Sequence, residues 1–401
     1  MTVRAVHLSP FFDMDIGYEE FYTAKYMARA GVDVTVLTCD RSNDGTRRYA
    51  RGREKTKEGF EIRRLPLVFR YGSDFVLMRR FARAIRELKP DLVFMHGSRV
   101  PQYLGVARRK ERDGYALFVD HHDFFFPGHS MMPEKKSMRN RIASLEYRTV
   151  RKSLSSRILS RADRILPVTG VCRDHMEKFF GISDERVIEV EFAVDTEVFR
   201  FEEAERERIR SEIGVTDEDT VFNFTGVITR RKRFDKIVDL ACSVRNRIRG
   251  GRALFLIVGY FRDPRYGEEI SALIESRGAS SLFHFTGKVP KEEIRDYYSA
   301  SDAAFWIENN SISILEAMAC RCVVFVPRMQ LSHLVDGNGD VFDPGDIERL
   351  SGHMCALAGM KPAERARLGE RSLDLVESRH SYGRYVDLIL DHYGNLRGRD
   401  E

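Results

Sequence analysis

Across 401 residues, 66 Lys+Arg face 61 Asp+Glu, and a composition 43% hydrophobic and 11% aromatic excludes a disordered chain and suits two or three domains. The net +5 hides an asymmetry: residues 1–200 carry 37 basic and 28 acidic side chains (+9), residues 201–401 carry 29 and 33 (−4). The first half is therefore expected to meet an anionic surface and the second a different partner.

The start MTVRAVHLSPFFDMD lacks the apolar stretch of a signal peptide, and no run approaches the roughly 18 apolar residues of a membrane span. Six scattered cysteines lack metal-ligand spacing, which points to reduced, mostly buried thiols in a cytoplasmic protein. In chain order, short apolar strands alternate with amphipathic helices. Arg4–Leu8 reads as a strand, followed by a loop through Gly17, a helix to Ala30 and strand Val32–Thr38. Helix Phe75–Leu88, strands Asp91–Met95 and Ala116–Asp120, a long helix near 135–161 and strand Arg164–Val168 come next.

A charge-dense stretch, Phe199–Glu212, separates this half from a second that repeats the scheme. There, strands Val221–Thr225, Ala253–Val258, Leu282–Phe285, Ala303–Trp306 and Cys322–Val326 alternate with helices Phe234–Ile248, Gly267–Arg277, Lys291–Ala300 and Ser313–Ala319. The pattern predicts an α/β protein of two doubly wound Rossmann-like domains, 1–198 and 199–380, with a last helix at 381–396 crossing back onto the first. Ligands of such sheets sit outside the carboxyl ends of the strands, which places the expected site in a cleft that the two domains face.

Glu308 and Glu316, with Ser311 and Ile312 among the residues between them, are the sharpest chemical signal. One follows a strand end and the other opens a helix. Spacing alone leaves two readings: acceptors for sugar or ribose hydroxyls, or a solvated loop acid and an acid stabilised by a helix dipole. Thr229–Arg233 is likewise either an anion-binding turn after Gly226 or a solvated basic loop. Asp120-His121-His122-Asp123 ends a strand, where His122 can donate to a hydroxyl with Asp123 fixing its tautomer; His121 and His96 are secondary candidates. Asp13 and Asp15 look like a metal-binding pair in the wrong context, and no metal site is expected.

The segment 134–164 holds ten Lys/Arg and three acids, with Ile142, Leu145, Val150, Leu154 and Ile158 near helical spacing. It reads as a core-facing helix with a solvated basic face, or as a helix against an anionic membrane surface on the cytoplasmic side. No helix-turn-helix, aromatic RNA-binding strand or zinc module supports nucleic-acid binding.

The second half resembles the retaining glycosyltransferases of the GT-B fold, the family 4-like group 1 enzymes. The resemblance rests on Glu308-x7-Glu316 ending Glu316-Ala-Met-Ala319, on Gly226…Lys232, Val258-Gly259 and Phe285-Thr-Gly-Lys-Val289. Tyr298-x-x-Ser301-Asp302, Asp336-Gly-Asn-Gly339 through Asp346, Ala193-Val-Asp-Thr-Glu-Val-Phe199 and Arg161 through Thr169 extend it over nearly the whole chain.

It implies metal-independent transfer of a hexosyl group, with no cofactor, from a nucleotide-sugar donor to a polysaccharide, lipid-linked or small-molecule acceptor. Lys232 with Arg230 and Arg231 would hold the diphosphate, Glu308 the donor sugar and Glu316 the ribose. Gly17, Gly226, Ser311 and Ile312 complete the donor side, and His122 is the first-half contact at the reacting centre. Three departures stand out: Val227 replaces the family's arginine, Arg321 replaces a glycine, and Pro327-Arg-Met-Gln330 replaces a Gly-Gly turn. Arg321 and Arg328 there would suit a charged sugar such as a uronic acid. A sugar-nucleotide epimerase, a phosphorylase or a non-catalytic nucleotide-binding relative are the alternatives left open.

Overall fold

In a computed structural model, which describes residues 2–14, 19–72, 75–122, 145, 147–183, 185–248, 251–308 and 311–398, the apolar runs pair side by side in parallel sheets. The chain divides into unit 1, Met1–Phe192 with Tyr382–Glu401, and unit 2, Ala193–Ser381. The division precedes the expected 198/199 boundary because Val194 already pairs with the far end of unit 2. Its N–H donates to the His380 carbonyl at 2.8 Å, and it forms a parallel bridge to Ser381.

Unit 1 contains β1 (Arg4–Leu8), β2 (Asp33–Cys39), β3 (Gly52–Lys55), β4 (Glu61–Leu65), β5 (Leu67–Tyr71), β6 (Phe75–Met78), β7 (Leu92–His96), β8 (Ala116–His121) and β9 (Arg164–Pro167). Seven of these form a sheet in the order β3-β4-β2-β1-β7-β8-β9, parallel except for the antiparallel β3–β4 pair. The central strands are buried almost throughout, as continuous Val/Leu/Phe runs require when both faces are covered. Chain order reverses between β1 and β7, the position at which open α/β sheets bind ligands. Helix Tyr382–Arg397 belongs to this unit and stacks Tyr382 on Tyr22, with ring centroids 4.9 Å apart.

Unit 2 contains β10 (Thr220–Thr225), β11 (Ala253–Val258), β12 (Phe283–Gly287), β13 (Ala303–Phe305), β14 (Val323–Pro327) and β15 (Gly339–Phe342), ordered β12-β11-β10-β13-β14-β15 and all parallel. Its reversal lies between β10 and β13.

Two expected elements differ. Phe75–Leu88 is not one helix: Phe75–Met78 pairs antiparallel with β5, and only Phe81–Leu88 is helical. A four-residue apolar run carries no helical period, and as a strand it turns Val76 and Met78 inward. Of the long helix, the described part is a π-helical turn, Tyr147–Arg151, running into α-helix Lys152–Leu159. A π turn adds a residue and rotates the face presented to the core. Ile158 is therefore buried, while Leu145 and Val150 are 64% and 52% exposed. Ile142 lies outside the described residues. All six cysteines are free, four of them buried.

The amino-terminal edge of the unit 2 sheet is fixed by Asp302, 8% exposed. Its carboxylate accepts from the Val221 N–H (2.8 Å), Arg206 (2.9 Å) and Arg210 (3.2 Å). Removing one member of such a buried group strands the others. Asp302→Ala is expected to destabilise unit 2 by about 3–5 kcal/mol. Urea unfolding followed by the fluorescence of Trp306, the chain's single tryptophan, measures it; a loss under about 1 kcal/mol would show that the arginines find other partners.

Candidate active site

β10 ends at Thr225 and the chain turns at Gly226, φ +128°. A Cβ at Gly226 would lie 2.8 Å from the Lys232 ammonium, and one at Gly259 (φ +153°) would lie 2.2 Å from the Gly226 carbonyl oxygen. Only glycine permits that backbone angle and that approach. Past the strand ends the two loops stay paired: the Ile228 N–H donates to the Tyr260 carbonyl (2.8 Å) and the Arg262 N–H to the Ile228 carbonyl (3.0 Å).

Lys232 closes the 3₁₀ turn Arg230–Lys232, with its ammonium 5.2 Å from the Phe224 ring centroid. No carboxylate pairs with it among the described residues. Burial, then the charges of Arg231 and Arg262, hold its pKa below the usual lysine value. An anion bound there would relieve both effects.

The expected diphosphate set is thereby revised. Arg230 forks onto Glu269 with two bonds of 2.7 Å and lies over the Tyr266 ring at 4.7 Å. Tyr266 and Glu269 are one turn apart on helix Pro264–Ser276, a partner surface that spacing within 226–233 could not reveal. Arg231 is exposed and makes no ion pair among the described residues. Gly17 lies outside the described residues.

β13, next to β10, leads into buried Trp306 and Ile307 and then to Glu308. Lys236, on helix Phe234–Arg247, donates to Glu308 Oε1 at 2.9 Å. Sequence reasoning missed this pair. The available signal was a lysine in the first turn of a helix, where the dipole disfavours a cation unless an acid faces it. The turn before the next helix is held from beneath. Ser311 and Ser313 hydroxyls share a 2.7 Å bond, the Trp306 indole N–H donates to Ser313 at 3.2 Å, and Ile312 is left 37% exposed. The Glu316 carboxylate, in the first turn of helix Ser313–Ala319, has no hydrogen-bond partner among the described residues. Burial pushes its pKa up to about 7, only partly offset by Lys291.

Arg321 and Arg328 are engaged elsewhere. Arg321 takes a left-handed conformation (φ +63°), one that the glycine implied there by the resemblance would adopt without strain, and stacks on Phe201 at 4.7 Å. Arg328 pairs with Asp343 at 3.1 Å.

In unit 1 the side chains at the carboxyl ends of β1, β7 and β8 form one chain of polar contacts. Buried Asp120 accepts from the Gly97 N–H (2.7 Å) and His96 Nδ1 (2.5 Å), and lies 3.3 Å from His122 Nε2. His96 Nε2 in turn is 3.0 Å from His7 Nδ1. Glu19 lies 3.6 Å from His122 and accepts from the Tyr385 hydroxyl at 2.8 Å.

Burial opposes charge on His122, yet Asp120 and then Glu19 outweigh it and push its pKa up to about 10. The two carboxylates therefore favour the protonated, hydrogen-donating form of His122. Asp123, expected to orient it, lies outside the described residues; Asp120, two residues back and on the same side of an extended chain, fills that role. His121 faces the other way, 2.9 Å from His175 in a buried stack. Asp13 accepts from the Tyr49 hydroxyl at 2.7 Å. Glu19, Asp120 and His122 have ligand atoms within 4.8 Å of one another, a spacing a divalent cation could use. A protonated imidazole between two carboxylates balances the same charges.

The family described as Glycosyltransferase Family 4 matches residues 21–198, and that described as Glycosyl transferases group 1 matches residues 205–373. Compared with curated proteins by sequence, the chain has no match. Among solved structures, sucrose-phosphate synthase from Thermosynechococcus elongatus superposes with a TM-score of 0.67 at 16% identity, over 99% of this chain and 100% of that one. HepE from Anabaena in complex with UDP gives 0.70 at 13% identity over 98% and 100%, and a glycosyltransferase from Rickettsia africae gives 0.70 at 15% over 98% of each. At such identities these structures establish the fold. The two family matches, together running from residue 21 to residue 373, make the chain a member of the family 4-like, group 1 glycosyltransferases, GT-B enzymes acting on sugar-nucleotide donors.

Proposed function

We propose that the chain is a retaining, metal-independent hexosyltransferase whose unit 2 holds the nucleoside diphosphate of the donor and whose acceptor is a polysaccharide, a lipid-linked sugar or a small sugar. The observation that carries this reading is Lys232: its ammonium is held over Gly226 at the carboxyl end of β10, with no carboxylate partner among the described residues. As the glycosidic bond breaks, its electron pair leaves with the diphosphate, so a fixed cation there stabilises the transition state more than the ground state. HepE holds UDP and starch synthase IV from Arabidopsis holds ADP; the diphosphate is what those two ligands share.

Lys236 steadies the Glu308 carboxylate for donor-sugar hydroxyls, and Glu316 accepts from the ribose. His122, already protonated, donates to a sugar hydroxyl and cannot take the acceptor's proton. The proton of the acceptor hydroxyl therefore passes to the departing diphosphate oxygen while the new bond forms on the same face of the sugar. Fixed cations stand where a metal ion would otherwise neutralise the diphosphate.

Calorimetry with UDP, GDP and ADP tests the donor assignment. One of them is expected to bind, and Lys232→Ala to weaken it about ten- to a hundredfold, the range of a lost charge-assisted contact. Turnover should survive EDTA and give a product with the donor's anomeric configuration by NMR. Absence of binding by all three, an inverted product or loss of turnover in EDTA would each contradict the corresponding part of the reading.

Glu316 makes nucleotide affinity pH-dependent. Its free-state pKa of about 7 means that below pH 7 a proton occupies the acceptor that the ribose needs, so affinity should fall severalfold from pH 8 to pH 6. Glu316→Gln should bind more weakly at pH 8 and flatten the profile; an unchanged slope in that variant would assign the pH effect elsewhere.

Anionic membrane attachment through 134–164 keeps its place in the proposal, with an added surface. No described helix is long and apolar enough to cross a membrane. All exposed large hydrophobics described in unit 1 lie on the β5–β6 hairpin (Val68, Phe69, Tyr71, Leu77) or are Leu145 and, in the π-helical turn, Val150. Arg79, Arg80 and Arg148 are exposed beside them. Flotation with vesicles containing phosphatidylserine should recover the protein at low salt and lose it at high salt; no flotation in either would remove the membrane from the account.

A further inference from the structure

The diphosphate site just proposed has an arginine missing at Val227, and Arg230 does not replace it because Glu269 holds its guanidinium on both sides of the fork. The second cation has to come from another part of the chain. We propose that it is Arg262, supplied by the loop after β11, so that the diphosphate is held between Lys232 on one strand end and Arg262 on the neighbouring one. The inference rests on the donor-site reading above.

The geometry carries it in three steps. First, Gly259 presses against Gly226, with a hypothetical Cβ only 2.2 Å from the Gly226 carbonyl oxygen, so the two loops leave the sheet in contact. Second, the loops continue as a parallel pair: Ile228 bridges Phe261, and its carbonyl accepts from the Arg262 N–H at 3.0 Å. Arg262 is thereby placed across from the first residue beyond the vacant arginine position. Third, Arg262 is exposed and makes no ion pair among the described residues. The adjacent acid is committed elsewhere, because the Asp263 side chain caps helix Pro264–Ser276 by accepting from the Arg265 N–H.

The two charges sense one another, since Arg262 contributes to the depressed pKa of Lys232. Two like charges held together on fixed backbone, with no acid paired to either among the described residues, match the two phosphates of a nucleoside diphosphate better than the single phosphate of a monophosphate. A guanidinium can also fork onto two phosphate oxygens, which an ammonium cannot.

The test separates this inference from the reading beneath it. Binding of UDP, GDP and ADP is measured beside UMP, GMP and AMP for the full-length protein and for Lys232→Ala, Arg262→Ala, Arg262→Lys, Arg231→Ala and Arg262→Ala/Val227→Arg. Loss of one charge-assisted phosphate contact predicts that Arg262→Ala weakens the diphosphate about ten- to a hundredfold. The monophosphate should be unchanged, which also shows that the variant is folded. Arg262→Lys should recover part of the affinity, and Val227→Arg in the Arg262→Ala background should restore it from the neighbouring strand end. A diphosphate affinity untouched by Arg262→Ala but reduced by Arg231→Ala would overturn the inference and name the other arginine. Equal losses for mono- and diphosphate would overturn it as well, by making Arg262 a structural residue. If no diphosphate binds even the unsubstituted protein, the donor-site reading itself fails.

Discussion

The carboxyl edge of the unit 2 sheet depends on one backbone approach, that of Gly259 to the carbonyl of Gly226. A β-carbon at 259 would sit 2.2 Å from that oxygen, and φ of +153° there is unsuited to an L side chain. With both residues glycine, β10 and β11 stay paired beyond their last ladder bonds and their loops leave the sheet together. Lys232 can then fold back over Gly226, and Arg262 comes across from Ile228. A flat sheet end would have scattered these groups; the apposed glycines gather positive charge at the carboxyl ends of β10 and β11, beside the β10–β13 reversal.

Unit 1 reaches a comparable concentration of charge by strand register. Parallel pairing of β7 with β8 sets His96 level with Asp120. Extended backbone puts Asp120 and His122 on one side and His121 on the other. Asp120 thus lies between two imidazoles, and burial, which alone would make both histidines neutral, is overcome by its charge. The C-terminal helix completes the arrangement by bringing the Tyr385 hydroxyl to Glu19. His122, which the sequence offers as a hydroxyl donor oriented by Asp123, is held beside Asp120 and Glu19, whose charges favour its protonated form.

How much of this is legible in sequence follows from the range of the interactions involved. The parallel sheets were legible, because runs such as Ala253–Val258 are buried on both faces and alternate with helices at regular intervals. Gly226, Lys232, Glu308 and Glu316 were legible because each stands at a strand end or helix start that can be recognised locally. The engagement of Arg230 was not, since Glu269 lies 39 residues away, nor was the Lys236–Glu308 pair, separated by 72. β6 reads as the start of a helix because Phe-Val-Leu-Met has no period of its own and only its partner strand decides its state. Asp302, part of the motif that carries the resemblance, holds the amino-terminal edge of the sheet through two arginines of one helix, Glu203–Glu212.

Hydrogen–deuterium exchange, with UDP, GDP or ADP added in turn, tests the central claim that unit 2 holds a nucleoside diphosphate at the carboxyl ends of β10, β11 and β13. The account predicts that at least one of them slows exchange at 226–232, 259–262 and 311–317 together, leaving the Asp302 edge of the same sheet unaffected. Unchanged exchange in all three segments with every nucleotide, or protection confined to unit 1, would contradict it.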